Sequence, residues 1–201
     1  MKNISINADF KSFKQAFLEE NSKHNLISKN DEKYLFEKHF YDSLGIKLFF
    51  EKYKVDNPTI LDIGCGGGFP CVPIALEYPN IQIVGLDSIR KKIDSVREIK
   101  NKLNLKNLEL ICDRAENIKD KKFDIVISRA VADLKKVSTY ALPFLNGGGY
   151  FVAYKSKKTL TELDEAKIFL EKSKMKVVEI IKYTLPLEEV YERNLVVIKK
   201  L

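Results

Sequence analysis

The chain has 201 residues and a formal net charge of +7, from 35 Lys and Arg against 28 Asp and Glu. Hydrophobic residues make up 45% of the chain, which excludes disorder as its main state, and the length suits one sizeable core better than two domains. No run approaches the roughly 18 apolar residues of a membrane span, and the first residues lack the apolar core of a signal peptide, so we expect a cytoplasmic protein.

The cysteines and histidines are too few and too irregularly spaced for a disulfide framework or a zinc site. The three cysteines are Cys65, Cys71 and Cys112, an odd number without a C-x-x-C pair. The two histidines, His24 and His39, lack the paired spacing of zinc ligands. We therefore expect unpaired thiols and no metal.

Residues 1–57 are predicted to form a helical N-terminal extension that packs on the rest of the chain. Apolar side chains recur at helical spacing in two runs, over residues 10–18 and 35–40. Asn30 and Asp31 precede the second run and are predicted to cap it.

The pattern changes after Pro58, and residues 58–201 are predicted to form an α/β domain. Short apolar runs alternate there with amphipathic stretches of helical length, which is typical of a parallel sheet covered on both faces. No helix-length segment separates the last two runs, so we expect an antiparallel hairpin at the end of a mainly parallel, seven-stranded sheet. The strands are predicted at 59–63, 81–86, 108–112, 123–128, 150–154, 175–185 and 194–200. The clearest helices are predicted at 88–104, 133–145 and 159–173.

A glycine loop follows the first predicted strand. Residues 62–70 read DIGCGGGFP and lead into a helix, with Pro70 near its first position. Glycines allow a ligand close to the backbone, and the helix N-terminus offers free N–H groups. A dinucleotide fingerprint would need glycine where Phe69 stands, and a P-loop would need Lys after Gly68. The remaining pattern, G-x-G-x-G after an acidic strand end, is typical of S-adenosylmethionine sites.

Asp87 ends the second predicted strand, where a carboxylate can accept hydrogen bonds from both ribose hydroxyls of such a cofactor. The alternative is a tight strand-to-helix turn at Gly64 and an ordinary surface Asp. The glycine loop follows the first strand and Asp87 ends the second, and this matching placement favours a cofactor site.

Basic residues are concentrated in the segment that follows Asp87. Residues 88–106 contain seven Lys and Arg against two acids. Such a stripe suits the phosphate backbone of a nucleic acid, because Lys and Arg displace its condensed counterions. A solvated helix face would carry the same pattern, so charge alone leaves both interpretations open.

Several segments together resemble one known family, the bacterial 16S rRNA guanine-N7 methyltransferases, also called glucose-inhibited division protein B. The resemblance covers about residues 25–201. G-x-G-x-G is shared by many methyltransferases, but G-F-P-x-x-P-I-A after the loop and S-R-A-V-A after the fourth strand are much narrower. The other matching segments are HNLIS, EKHFYDSLG, LDSIRKK, DRAENI, GGGYFVAYK and RNLVVIKK. Cys71 and Ser156 depart from the family, which usually has glycine at both positions.

The resemblance implies a class I, Rossmann-like methyltransferase fold for residues 58–201 and methyl transfer from S-adenosylmethionine to N7 of a guanine in 16S rRNA. It carries over Gly64 and Phe69 in the loop, Ala115 and Glu116 after the third strand, and Arg129 after the fourth. The loop pattern adds Gly66, and the end of the second strand adds Asp87. The predicted cofactor-binding residues are therefore Gly64, Gly66, Phe69, Asp87, Ala115, Glu116 and Arg129.

Arg129 is also the candidate catalytic residue, in a positioning role towards the cofactor carboxylate or the target guanine. The candidate RNA-binding residues are Arg90, Lys91, Lys92, Lys155 and Lys157. His39 and Asp42 share one side of a predicted helix, where packing or capping is at least as reasonable an interpretation as catalysis.

The expected chemistry requires no general base, because guanine N7 already carries an in-plane lone pair. Catalysis would come from holding N7 in line with the sulfonium methyl group. The catalytic motifs of other base methyltransferases are missing. Ser128, Arg129 and Ala130 stand where a cysteine nucleophile or an [N/D]-P-P-[Y/F] motif would be expected.

The expected partner is 16S rRNA, as naked RNA, a 30S subunit or its precursor, bound by a monomeric protein. The alternative is a non-catalytic RNA-binding or ribosome-assembly factor that retains a cofactor pocket. A small-molecule methyltransferase is disfavoured by the basic stripe and by the lack of a lid domain.

Overall fold

A mixed seven-stranded sheet organises the chain in a computed structural model that describes residues 4–156 and 158–201. Its strand order is β3-β2-β1-β4-β5-β7-β6. Strand β7 is antiparallel to both of its neighbours, and the other six strands run in one direction. The predicted mainly parallel sheet with a terminal hairpin is therefore confirmed. The strands are β1 (Ile60–Ile63), β2 (Ile83–Asp87), β3 (Leu108–Cys112), β4 (Phe123–Arg129), β5 (Leu145–Lys155), β6 (Met175–Leu185) and β7 (Tyr191–Lys200).

The α-helices cover both faces of this sheet. They are α1 (Phe10–His24), α2 (Lys29–Glu32), α3 (Lys47–Lys52), α4 (Cys71–Glu77), α5 (Arg90–Lys102), α6 (Leu134–Ala141) and α7 (Thr159–Lys172). In the described part of the chain, no helix combines the length and the apolar character that crossing a membrane would need.

Two hydrophobic clusters form the core, one on each face of the sheet. Neighbouring strand residues alternate between them: Ile60 belongs to the first cluster and Leu61 to the second, because successive strand side chains point to opposite faces. The first cluster contains apolar side chains of the N-terminal helices together with those of α4 and α5, and the second contains those of α6 and α7. The N-terminal residues thus share a core with the sheet.

The N-terminal residues are helical, as predicted, but their boundaries differ. A π-helical segment (Leu35–Tyr41) follows α2, and a short 3₁₀ turn (Leu44–Ile46) precedes α3. The predicted cap at Asn30 and Asp31 is wrong: Ser28 caps α2, with its Oγ accepting a hydrogen bond from Asp31 N at 3.2 Å. Both residues instead lie inside that one-turn helix.

Strand β5 is longer than its apolar run predicted, and helix α6 ends four residues earlier than predicted. Leu142–Phe144 forms a 3₁₀ turn after α6, where Pro143 lacks the N–H that would continue an α-helix. Gly148 adopts φ +77° inside β5, and the β4–β5 register shifts between Phe123 and Ile125. A glycine-rich irregular strand start of this kind carries no alternating apolar pattern, so the sequence did not reveal it.

Candidate cofactor site

A cavity of about 600 Å³ lies outside the carboxyl ends of the central parallel strands. The chain order reverses between β1 and β4, which is where open α/β sheets bind their ligands. The walls include every residue predicted to bind the cofactor, namely Gly64, Gly66, Phe69, Asp87, Ala115, Glu116 and Arg129. The sheet topology thus brings together loops that are distant in sequence.

The glycine loop presents its backbone to this cavity. Gly64 adopts φ +72°, and a Cβ there would lie 2.4 Å from Val131 Cγ2. Gly66 adopts φ +54°, and a Cβ added there would have no neighbouring atom closer than 3.9 Å. The first glycine is therefore needed for both conformation and space, whereas the second keeps the cavity floor open. Pro70 is the residue just before α4, which begins at Cys71.

Asp87 links the glycine loop to the end of β2. Its Oδ2 accepts a hydrogen bond from Gly66 N, and its Oδ1 accepts one from Ile89 N, both at 2.9 Å. An ionised carboxylate has about four lone-pair sites, so capacity remains for two ribose hydroxyls. The two backbone contacts hold the carboxylate at the cavity wall.

The loop after β3 forms another wall. Ala115–Asn117 is a 3₁₀ turn, preceded by Asp113, whose Oδ1 accepts hydrogen bonds from Asn117 Nδ2 at 2.8 Å and Arg114 N at 2.7 Å. These bonds lower the pKa of Asp113 and stabilise the turn. Ala115 and Glu116 are therefore presented at the cavity by a locally braced loop.

Arg129 ends β4, and residues of the N-terminal extension hold its guanidinium. Arg129 Nη1 donates to Lys38 O at 3.0 Å and to Asp42 Oδ2 at 3.1 Å, while Nη2 lies 3.2 Å from His39 Nδ1. The guanidinium carbon lies 5.2 Å from the centre of the Phe69 ring, a cation–π contact. The side chain is only 12% exposed, so its direction is set by these partners.

The N-terminal extension also forms part of the cavity wall, a contribution that the sequence patterns did not indicate. Leu26, Ile27 and His39 line the cavity. The only sequence signal is that these residues lie in HNLIS and EKHFYDSLG, two segments of the family resemblance, and the helical side shared by His39 and Asp42 is equally compatible with packing or capping.

His39 lies at this wall and carries a buried donor without a partner among the described residues. Burial lowers the pKa of His39 to about 4, and the charge of Arg129 contributes to this lowering, so the imidazole is neutral near pH 7. Since Arg129 donates towards Nδ1, we assign the proton to Nε2. That buried Nε2 finds no hydrogen-bond partner among the described residues.

Asp62 lies beneath the glycine loop and is fully buried. Its Oδ2 accepts a hydrogen bond from Cys71 N at 3.0 Å, whereas its Oδ1 has no partner in the described chain. Burial raises the pKa of this carboxyl to about 7. Cys71, one of the two family departures, is itself buried and directed into the core.

The candidate RNA-binding residues fall into different environments. Arg90 and Lys91 are exposed on α5, and Lys92 lies on the cavity wall. Lys155 is only 11% exposed, with Nζ 2.6 Å from Glu162 Oε2 and 2.7 Å from Ala132 O. Lys157 lies outside the described residues.

A smaller cavity of about 320 Å³ adjoins the first, with Ala130 and Val131 lining both. Lys155, Glu162 and Arg193 contribute to its lining. Over residues 4–156 and 158–201, no three His, Cys, Asp or Glu side chains lie together as metal ligands would.

Sequence comparisons place the chain among known proteins. A family model described as "GidB: rRNA small subunit methyltransferase G" matches residues 6–196. The chain is 38% identical to ribosomal RNA small subunit methyltransferase G of Lachnoclostridium phytofermentans, covering 95% of this chain and 80% of that protein. It is 36% identical to the protein of the same name from Staphylococcus saprophyticus, with the same coverages.

Solved structures with this fold are more distant in sequence. Ribosomal protein L11 methylase from Lactobacillus delbrueckii subsp. bulgaricus matches with a TM-score of 0.62 at 15% identity, over 80% of this chain and 79% of that one. TYW2 from M. jannaschii, solved in complex with AdoMet, matches with a TM-score of 0.59 at 16% identity, over 93% and 77%. The expected class I methyltransferase fold is confirmed.

Proposed function

The chain belongs to the rRNA small subunit methyltransferase G family, and we propose that it transfers the methyl group of S-adenosylmethionine to N7 of a guanine in 16S rRNA, which the family resemblance implies is guanine 527. The observation that carries this proposal is the cavity of about 600 Å³, whose walls include all seven residues predicted for the cofactor. The chain spans four fifths of its relatives' length.

The cavity residues suit S-adenosylmethionine. Gly66 leaves room against the backbone, and Asp87 retains acceptors for a ribose. Ala115 offers a small side chain beside a base. Arg129 offers a positive charge for a carboxylate. When bound, the cofactor supplies an electrophilic methyl group on a sulfonium sulfur.

The protein's own contribution to the reaction is positioning. The N7 lone pair of the guanine forms the new bond to the methyl carbon as the carbon–sulfur bond breaks, so no proton has to be removed. His39 is therefore not needed as a base, and its buried contact with Arg129 suits an orienting role instead. Arg129 is the positioning residue of this proposal.

RNA binding is proposed for the face that carries the start of α5. Arg90 and Lys91 are exposed next to Lys92 on the cavity wall, so phosphates bound there would lie beside the cofactor. Lys155 is already paired with Glu162, which makes it the weaker RNA candidate. We further propose that the protein acts as a cytoplasmic monomer on 16S rRNA or a 30S particle.

The test is methyl transfer with the purified protein. We expect methyl-labelled S-adenosylmethionine to label unmethylated 16S rRNA, as naked RNA or in 30S particles, at a single N7-methylguanine located by mass mapping. No label in either substrate, with RNA binding that is unchanged in Arg129→Ala, would support the assembly-factor alternative instead. Label at another base or atom would contradict the N7 assignment.

A further inference from the structure

Asp42 is a buried carboxylate at the end of the π-helical segment, and two arginines converge on it. Its side chain is 2% exposed. Oδ1 accepts hydrogen bonds from Tyr183 Oη at 2.6 Å and Arg193 Nε at 2.9 Å. Oδ2 accepts bonds from Arg193 Nη2 at 2.9 Å and Arg129 Nη1 at 3.1 Å. One carboxylate thus joins the N-terminal extension to the ends of β4 and β7.

The carboxylate stays ionised in this environment. Burial acts to raise the pKa of Asp42, but the charges of Arg193 and Arg129 more than offset burial and hold the pKa below its ordinary value. Arg193 binds it through two parallel N–H bonds, which is the strongest geometry available to an arginine. The Asp42–Arg193 pair alone would secure β7 to the extension, so the bond to Arg129 is additional to that requirement.

The orientation of the Arg129 guanidinium depends on its bond to Asp42. Its other two hydrogen-bond partners, Lys38 O and His39 Nδ1, are uncharged, so Asp42 provides the only formal negative charge that contacts the guanidinium in the described residues. Three of the five guanidinium N–H groups are engaged in these contacts, which leaves two for a ligand in the cavity that Arg129 lines.

We propose that Asp42 is a positioning residue of the cofactor site, which holds the Arg129 guanidinium at the cavity wall in the orientation that binds the cofactor. This inference rests on the proposed function, because it takes Arg129 to contact S-adenosylmethionine. In this proposal the N-terminal extension contributes to cofactor binding.

A double-mutant cycle tests this proposal with S-adenosylmethionine as the probe and calorimetry as the measurement. Asp42→Asn keeps the shape of the side chain but removes the charge. We expect it to weaken cofactor binding about tenfold when Arg129 is present and less than about twofold when it is combined with Arg129→Ala. A loss that is equal in both backgrounds, or no loss at all, would overturn the proposal.

Tyr183→Phe is the matched control, because it removes a hydrogen bond to the same carboxylate without touching Arg129. We expect it to lower the melting temperature and leave cofactor affinity within about twofold of wild type. If Tyr183→Phe weakened binding as much as Asp42→Asn, Asp42 would act through the fold alone and the proposal would fail.

Asp42→Glu covers the case in which Asp42→Asn does not fold, since it keeps the charge and moves the carboxylate by one methylene group. We expect an affinity loss that again disappears in the Arg129→Ala background, and a persisting loss would overturn the proposal. A wild-type protein that binds no S-adenosylmethionine would overturn the proposed function together with this inference. Binding without coupling would overturn the inference alone.

Discussion

The cofactor cavity has two walls that are built in different ways. The wall formed by the sheet consists of loops at the carboxyl ends of neighbouring strands, held by bonds to backbone N–H groups such as Gly66 N to Asp87 Oδ2, 21 positions apart. The wall formed by the N-terminal extension is attached through side chains, with Arg129 bonded to residues 87 to 91 positions earlier in the chain. We therefore expect the structure of the sheet wall to depend mainly on backbone conformation. The structure of the extension wall should depend mainly on charge pairing.

The largest effect is expected from Gly64→Ala on the sheet wall. The substitution combines φ +72° with a Cβ placed 2.4 Å from Val131 Cγ2, so either the strained loop or the Val131 side chain has to move. We expect cofactor binding to fall at least about a hundredfold, in line with strain and overpacking of a few kcal/mol. Calorimetric titration with S-adenosylmethionine measures this loss.

Gly148→Ala is the matched control for that substitution. Gly148 has a similar φ of +77°, but a Cβ there would meet nothing within 4 Å, and the residue lies in β5 away from the cavity. We expect a destabilisation of about 1–2 kcal/mol with unchanged cofactor affinity. If Gly64→Ala and Gly148→Ala lowered cofactor affinity equally, left-handed backbone strain anywhere in the chain, and not its position in the glycine loop, would account for the loss.

Asp62 provides a pH test of the sheet wall. Because burial raises its pKa to about 7 from 3.8, the folded state binds a proton that the unfolded state releases between these values. Asp62 alone should therefore contribute a fall in the unfolding free energy as the pH rises from about 4 to 7, by at most about 4 kcal/mol. Asp62→Asn should remove this component, as measured by urea unfolding across the pH range.

His39 provides the matching test of the extension wall, with the opposite sign. Burial and the charge of Arg129 lower its pKa from 6.5 to about 4, so the unfolded state binds more protons between these values. Its stabilising contribution is present above pH 6.5 and is lost as the pH falls towards 4, by at most about 3 kcal/mol. The difference between the wild-type and His39→Gln urea-unfolding profiles should show this loss in the acidic range, and profiles that run parallel there would contradict the pKa assignment.

The smallest effect is expected from Lys91→Ala, an exposed residue of α5 beside the cavity, and it concerns RNA affinity. If this lysine contacts an RNA phosphate, affinity should fall severalfold and the slope of log affinity against log salt should shrink by about one. Lys176→Ala on β6, at the opposite end of the sheet, is the control and should change neither quantity. Identical behaviour of the two variants would leave Lys91 without a role in RNA binding.

The sheet wall was predictable from the sequence, and the extension wall was not. Strand–loop–helix patterns are local, so the order of residues alone was enough to place the glycine loop and the end of β2 at Asp87. The bonds that Asp42 makes to Arg129 and Arg193 span 87 and 151 positions, and no periodicity encodes such pairings. A helical spacing of His39 and Asp42 fits simple packing equally well, and only the fold distinguishes the two interpretations.

The bond between Asp42 and Arg193 also has a consequence for the order in which the molecule is made. Chains are synthesised from the N-terminus, and contacts between distant positions form late because long loops must close first. Asp42 leaves the ribosome 151 residues before its partner on β7, the strand that must insert between β5 and β6. A nascent chain therefore carries its glycine loop long before it carries a finished cofactor site.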